Sequence, residues 1–263
     1  MVTLTSRTDI EAALADPSLV PLPAATGPGS GAEAVGSMAW LRATVARFAH
    51  GEVHARRRAY VEAELARIDV DALRRLAAGQ FSRSGDDRTR VLRSLAQAMR
   101  LPDLDDAAVA ALCTVADNYF GGDDPAADDA VRLLLPLMGA GDPEQAANRV
   151  GILVQACDAT SALIAAARDG SGDVHATVRS APPVQVMRRI AIAATRVGTV
   201  EIPEGEPVLL EVGPVGLAFG SGPRVCPGRA LALALAEGAV AEGAVAKGVL
   251  AEGAVADSPA SAL

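Results

Sequence analysis

The sequence predicts a mainly α-helical protein with a small β-sheet late in the chain. Over most of residues 37–170, apolar residues recur every three or four positions, which is the period of an amphipathic helix. Residues 181–212 change to a strand-like alternation that is interrupted by the turn residues Gly198 and Gly205. Half of the 263 residues are apolar but only 3% are aromatic, so we expect a core built from Ala, Leu and Val.

The first half of the chain indicates a series of separate helices. A short extended segment precedes a helix over about residues 9–15, and a helical pattern then runs from about residue 37 to residue 78. Two further helices are expected over residues 88–122, and Asp105 or Asp106 is a good N-cap for the second of them.

The most clearly delimited helix follows Asp142. This residue is a favoured N-cap, Pro143 suits the first helical position, Gln145 fits a capping box, and Gly170 ends the helix. The helix should be roughly 40 Å long. Its middle is apolar almost all round, which predicts a buried helix. Asp158 lies in that middle, and a buried carboxylate is costly unless it is paired or functional.

Composition and charge exclude several classes of partner. The formal net charge is −8 and no long basic span is present, so nucleic acid is not an expected partner. Three widely spaced cysteines, Cys113, Cys157 and Cys226, argue against a disulfide framework and indicate a reducing compartment. No signal peptide is evident, and no uninterrupted apolar stretch approaches the ~18 residues that a membrane span needs. We expect a soluble cytoplasmic protein that binds no membrane.

A five-residue repeat fills the C-terminal end of the chain. EGAVA begins at residues 237, 242 and 252, and KGVLA begins at residue 247. A five-residue period keeps no constant face on a helix or a strand, and each internal glycine weakens a helix by about 1 kcal/mol relative to Ala. We expect one domain over residues 1–236 and a low-complexity tail over residues 237–263; a tail that binds a partner is the alternative.

The segment FGSGPRVCPG at residues 219–228 places a cysteine between glycine-rich turns and an apolar run. Glycine permits tight turns with positive φ, and a helix that begins just after Cys226 would stabilise its thiolate. The segment resembles the haem-binding loop of the cytochrome P450 superfamily, F-G-x-G-x-[RH]-x-C-x-G, at every specified position.

This resemblance implies a truncated cytochrome P450-like fold, mainly α with a small β-sheet, that binds haem b. Cys226 would be the metal ligand, and a thiolate on haem iron favours cleavage of the O–O bond. Arg224 would pair with a haem propionate, and Phe219, Gly220 and Gly228 would form the loop against the haem. A buried free cysteine in a glycine-rich turn is the alternative.

Other segments are similar to the same family, in the same order along the chain. HGEVHARRRAYV resembles the start of the C helix, so His54 and Arg58 would hold propionates; a solvated basic helix face is the alternative. VRSAPPVQVMRRIA resembles the end of the K helix and the next strand, where Arg189 would meet a propionate. LVQACDATSALI resembles the oxygen-binding I helix, so Asp158 and Thr160 would handle protons. Alternatively, Asp158 is a buried structural acid bonded to a neighbouring arginine.

The chain departs from the family pattern in three places. It is much shorter than a typical member, and only a few residues remain where the family has a long meander before the cysteine loop. Ala176 stands where the glutamate of the K-helix E-x-x-R pair belongs, which leaves Arg179 without its usual partner. Ala159 stands where a threonine normally follows the I-helix acid. This last change weakens the case for ordinary hydroxylation.

The resemblance implies a haem-thiolate oxidoreductase that oxidises a small organic molecule with O2 or peroxide in specialised metabolite biosynthesis. A ferredoxin-type protein would donate electrons, although the missing meander belongs to the face where such donors dock. A homodimer would cover apolar surface left by the missing elements. Two alternatives stay open: redox-neutral haem-thiolate chemistry such as dehydration, isomerisation or cyclisation, and a non-catalytic P450-like auxiliary protein.

Overall fold

The computed structural model describes residues 1–22, 34–79, 86–139 and 141–241. The helices in these segments are α1 (Arg7–Ala15), α2 (Met38–Thr44), α3 (Gly51–Leu65), α4 (Val70–Gly79), α5 (Asp87–Ala98), α6 (Asp106–Tyr119), α7 (Ala126–Leu134), α8 (Pro143–Asp169), α9 (Val174–Ser180) and α10 (residues 229–241). The strands are β1 (Val2–Leu4), β2 (Leu19–Pro21), β3 (Met187–Ala191), β4 (Thr195–Val197), β5 (Val200–Ile202) and β6 (Pro207–Leu210). The predicted fold class, mainly α with a small sheet, is confirmed.

The helical pattern expected over residues 37–78 is divided into three helices. Gly51 begins α3 with a φ of 60°, a left-handed conformation that glycine adopts without steric cost and that separates α3 from α2. Ahead of α4, the Asp69 carboxylate accepts the backbone N–H of Ala72 at 2.9 Å, as a helix N-cap does. The boundaries between these helices are therefore set by a glycine conformation and an N-cap hydrogen bond. Hydrophobic periodicity carries no information about either.

Two predicted N-caps are present. Asp105, rather than Asp106, caps α6 by accepting the backbone N–H of Ala108 at 2.8 Å. Asp142 caps α8 by accepting the backbone N–H of Glu144 at 2.9 Å. Both carboxylates also face the positive end of a helix dipole, so the long central helix and its neighbour α6 begin where the sequence predicts.

The long helix α8 packs against α5 and α6 in the larger of two apolar clusters. Its buried face includes Leu153, Cys157 and Ile164. The opposite side of α8 is an exposed stripe of residues spaced three or four positions apart. They are Gln155, Asp158, Ala162, Ala165 and Asp169. The prediction that α8 is buried all round is therefore wrong. The alanines on this side count as apolar in the sequence, but an exposed methyl group costs little free energy.

By length and hydropathy, α8 is the one helix among the described residues that could cross a membrane. Within its apolar window, 56% of the residues are buried inside the protein. That burial is what a core helix of a globular domain shows.

A four-stranded sheet forms the second layer, in the order β1-β6-β3-β2. β1 pairs with β6 in parallel, whereas β3 is antiparallel to both β6 and β2. One face packs on α1 through a second apolar cluster that includes Ile10, Leu14 and Leu210. The separate hairpin β4–β5 packs beside it. The sheet thus draws strands from both ends of the described chain, and β3 carries Arg189.

The connections around α9 are as short as the sequence suggests. Only residues 170–173 separate α8 from α9, and Asp173 caps α9 by accepting the backbone N–H of Ala176 at 2.9 Å. Ala176 therefore lies in the first turn of a seven-residue helix, and Arg179 near its end is exposed.

The first copy of the EGAVA repeat is part of α10. Glu237 bonds to Arg74 at 2.8 Å and to His175 at 2.9 Å. Gly238 lies against the α4 backbone, so close that a Cβ atom placed on it would overlap the Arg74 carbonyl oxygen. Ala239 is fully buried. The first copy therefore packs on α4, while the later copies lie outside the described residues.

Candidate functional site

The loop before α10 holds Cys226 in place through backbone hydrogen bonds. The Cys226 N–H donates to the Phe219 carbonyl at 2.8 Å, and the Gly220 N–H donates to the Leu217 carbonyl at 2.7 Å. Gly220 and Gly222 have φ values of 72° and 64°, a region that side chains rarely adopt, so two of the loop's glycines are required by its turns. Cys226 is presented just ahead of the first turn of α10.

The thiol of Cys226 is accessible to solvent although protein atoms surround much of it, as expected on a concave surface. Burial raises the pKa of the Cys226 thiol, while the Gly228 N–H and the charges of Arg58 and Arg229 oppose that rise. Arg229 itself lies over the Phe219 ring at 5.3 Å. The protein supplies partial support for a thiolate, and a metal ion bound at the sulfur would complete the deprotonation.

Side chains from α3 tie that helix to the cysteine loop. Arg58 donates to the Val225 carbonyl at 2.6 Å and pairs with Glu62 at 2.6 Å. From the loop, Arg224 donates to the Ala49 carbonyl at 2.8 Å. His54 lies one turn before Arg58 on α3 and is half-buried. The structure therefore brings His54, Arg58 and Arg224 close together.

A cluster of basic side chains gathers here, and the charges of Arg47, Arg58 and Arg224 lower the pKa values of their neighbours. Burial lowers the pKa of Arg189 to about 9, with help from the charges of Arg47 and Arg224. Burial, Arg47 and Arg58 lower the pKa of Arg224 to about 10. Burial, Arg224 and Arg58 lower the pKa of His54 to about 4, against the attraction of Glu62. We call Arg47, His54, Arg58, Arg189 and Arg224 the basic cluster.

Arg189 is the most deeply buried member of the basic cluster, at 3% exposure. Its Nη1 donates to the Arg188 carbonyl at 3.1 Å, but its Nε has no hydrogen-bond partner. A buried charged donor without an acceptor is costly. Arg189 is therefore poised to bind an anion.

The sequence analysis did not identify Arg47. This residue precedes α3, and the segment ATVARFAHG around it has no acidic residue within four positions. An arginine next to a phenylalanine in such a stretch is a weak signal, and only the folded chain shows that Arg47 joins the basic cluster.

Asp158 lies on the exposed stripe of α8 and is not the buried acid that the sequence suggested. Its carboxylate pairs with Arg88 Nε at 2.9 Å, and Arg88 Nη2 also pairs with Asp117 at 2.6 Å. Thr160 is 2% exposed and faces the core, so the structure does not bring Thr160 and Asp158 to one surface. Ala159 between them is half-buried. The alternative of an acid bonded to an arginine describes the contact that Asp158 makes.

The residues at this site fit a haem. Protoporphyrin carries two carboxylates, and the basic cluster offers guanidinium groups with an unpaired buried Nε. Among the residues that the structure describes, no three His, Cys, Asp or Glu side chains converge to hold a metal ion by themselves. A single accessible thiolate suffices for haem, because the macrocycle supplies the other four ligands.

No family model matches the sequence, and no curated protein matches it. Solved structures do resemble the fold. P450BioI, in complex with an acyl carrier protein ligated to hexadec-9Z-enoic acid, gives a TM-score of 0.67 at 15% identity over 93% of this chain and 84% of that chain.

A thermophilic cytochrome P450 from Sulfolobus tokodaii gives a TM-score of 0.68 at 15% identity, over 91% of this chain and 85% of that chain. The LnmZ cytochrome P450 hydroxylase of the leinamycin biosynthetic pathway from Streptomyces atroolivaceus gives 0.63 at 15% identity, over 90% and 87%. Identities this low carry information about the fold alone. The chain thus adopts the cytochrome P450 fold in a shortened form.

Proposed function

We propose that this protein is a haem-thiolate oxidoreductase of the cytochrome P450 type. It binds haem b through Cys226 and oxidises a small organic molecule, with O2 or peroxide, in specialised metabolite biosynthesis in the cytoplasm. The observation that carries the proposal is an exposed free cysteine just before α10, next to a basic cluster in which the buried Nε of Arg189 is unpaired.

The cysteine loop and the basic cluster bind different parts of the haem. Cys226 ligates the iron, and the turns at Phe219, Gly220 and Gly228 let the backbone approach the macrocycle closely. His54, Arg58, Arg189 and Arg224 hold the propionates. Bound haem supplies the iron that activates the oxidant, and thiolate ligation favours cleavage of the O–O bond.

Asp158 transfers protons on the distal side of the haem site, away from Cys226. Its position on the exposed stripe of α8 leaves the carboxylate accessible, and the Arg88 ion pair fixes its orientation. We propose that this carboxylate exchanges protons with solvent at the site. We assign no proton transfer to Thr160, because that side chain faces the core.

The proposed partners are a small-molecule substrate, a ferredoxin-type electron donor when O2 is the oxidant, and a second copy of the chain. The complex of P450BioI is that of a protein with this fold bound to an acyl carrier protein that carries a fatty acid. A carrier-bound substrate is therefore included in the substrate class that we propose.

A carbon monoxide difference spectrum of the dithionite-reduced, haem-loaded protein tests the proposal. We expect a thiolate-type Soret band that disappears in Cys226→Ala. Cys113→Ala is the matched control, since Cys113 is a free, half-buried cysteine on α6, and it should keep the band. A histidine-like band in the unmodified protein, or no uptake of haem, would contradict the proposal.

Redox-neutral chemistry at the same iron is the second candidate function. The observation that favours it is that neither of the two residues after Asp158 offers an accessible hydroxyl, since Ala159 has a methyl group and Thr160 is buried. The iron would then act as a Lewis acid in a dehydration, isomerisation or cyclisation. Consumption of O2 or peroxide in step with product favours the oxidoreductase, and product without oxidant consumption favours this candidate. Retention of Cys226 argues against a non-catalytic auxiliary protein.

A further inference from the structure

We propose that Arg47, a member of the basic cluster, is a further binding residue for the haem propionates. This inference rests on the proposed function, because it concerns the same ligand. It adds a residue that lies seven positions before His54 and belongs to none of the motifs in the sequence.

The first observation concerns how Arg47 is held. Its guanidinium lies over the rings of Phe48 and Phe120, at 5.7 Å and 5.5 Å from their centroids. These rings also contact each other and Tyr119, with Phe48 and Tyr119 centroids 5.2 Å apart. Only seven aromatic residues occur in the whole chain. Three of them therefore fix one arginine in place, which reduces the entropy lost when a ligand binds it.

The second observation concerns what Arg47 lacks. No carboxylate and no hydrogen-bond acceptor contacts its guanidinium anywhere in the described part of the chain. Most other arginines near it are paired: Arg57 and Arg56 share Glu144, and Arg58 has Glu62. A guanidinium has five donors, and aromatic faces satisfy none of them as a carboxylate would.

The third observation concerns the neighbours of Arg47. The charge of Arg47 helps burial to lower the pKa of Arg189, and Arg224 donates to the carbonyl of Ala49, two residues after Arg47, at 2.8 Å. Electrostatic interactions weaken with distance and with solvent exposure, so these three side chains share one poorly screened region. Burial lowers the pKa of Arg47 as well.

The positive charges around Arg47 favour a ligand with more than one negative group. Glu62 balances Arg58, and His54 is neutral at pH 7 because its pKa is about 4. Arg47, Arg189 and Arg224 then present three positive charges with no acidic partner within the described residues. The two propionates of haem supply two negative charges and four acceptor oxygens, so each of the three guanidinium groups can share an acceptor oxygen.

The rate of haem loss from the loaded full-length protein to an excess of apoglobin tests the inference without using enzymatic activity. We expect Arg47→Gln to lose haem about 10- to 100-fold faster, as for loss of a hydrogen bond to a charged group. Haem dimethyl ester, whose propionates carry no charge, should leave Arg47→Gln and the unmodified protein at nearly equal rates. Arg75→Gln is the matched control, since Arg75 is an exposed arginine on α4, and it should change neither rate.

Arg47→Lys covers the case in which Arg47→Gln does not fold. Lysine keeps the charge but not the planar fork, so haem loss should be faster than in the unmodified protein and the ester should again show no difference. Equal acceleration with haem and with its ester would mean that Arg47 only supports the fold and would overturn the inference, as would no acceleration at all. If the unmodified protein takes up no haem, the proposed function fails first and the inference fails with it.

Discussion

The basic cluster predicts how the stability of the protein without bound anions depends on pH. His54 is surrounded by Arg224 and Arg58, and burial with these two charges lowers its pKa from 6.5 to about 4. The unfolded chain therefore binds a proton at a pH where the folded chain does not. By linkage, the free energy of unfolding falls as the pH is lowered through 6.5 and levels off near pH 4.

The size of this effect follows from the pKa difference. At about 1.36 kcal/mol per tenfold change in proton affinity, the fall from 6.5 to about 4 corresponds to about 3.4 kcal/mol. His54 is only half-buried, and solvent screens the charges of a partly exposed group. We therefore expect about 1–2 kcal/mol between pH 7.5 and pH 4.5.

Urea unfolding at several pH values between 4.5 and 7.5 measures this contribution. The carboxylates of the chain also titrate in this range, so the informative quantity is the difference between two variants. His54→Gln should remove about 1–2 kcal/mol of the pH dependence, whereas His50→Gln, at an exposed residue just before α3, should retain it. If the His54→Gln and unmodified proteins show parallel pH profiles, the electrostatic account of the basic cluster is refuted.

Two further predictions concern packing. Gly238→Ala would favour the helix by about 1 kcal/mol, yet its Cβ would overlap the Arg74 carbonyl oxygen. We therefore expect a net loss of about 1–2 kcal/mol in urea unfolding. Gly79→Ala should show no loss, because a Cβ atom there would meet no described atom outside its own helix within 4 Å. Tyr119→Phe removes a fully buried hydroxyl that has no partner among the described residues. It should raise the melting temperature, with a gain of about 1 kcal/mol, and a lowered melting temperature would show that the hydroxyl is bonded.

The helix starts and the cysteine loop could be predicted from the sequence, because both depend on interactions between residues that are close together in the chain. Asp142 and Asp105 cap the helices that they were expected to cap, because a capping carboxylate acts on an N–H only two or three residues away. The glycines of the loop are informative for the same reason, since Gly220 and Gly222 take φ values that few other residues tolerate.

Features that depend on distant contacts could not be predicted. The parallel pairing of β1 with β6 joins residues about two hundred positions apart, and three-residue strands carry no register signal of their own. The exposed stripe of α8 was missed because Ala162 and Ala165 count as apolar at a surface. Arg47 was missed because its role arises from Arg189 and Arg224, which lie far away in the sequence.

Arg47, Arg189 and Arg224 have no acidic partner among the described residues, and this has a practical consequence for purification of the protein. Mutual repulsion among Arg47, Arg189 and Arg224 raises the free energy of the folded state, so any anion that prefers the folded chain stabilises it by mass action. Phosphate or sulfate at high concentration should therefore protect the protein better than chloride at equal ionic strength. The buffer anion should therefore affect how much of the protein stays folded before its natural ligand is added.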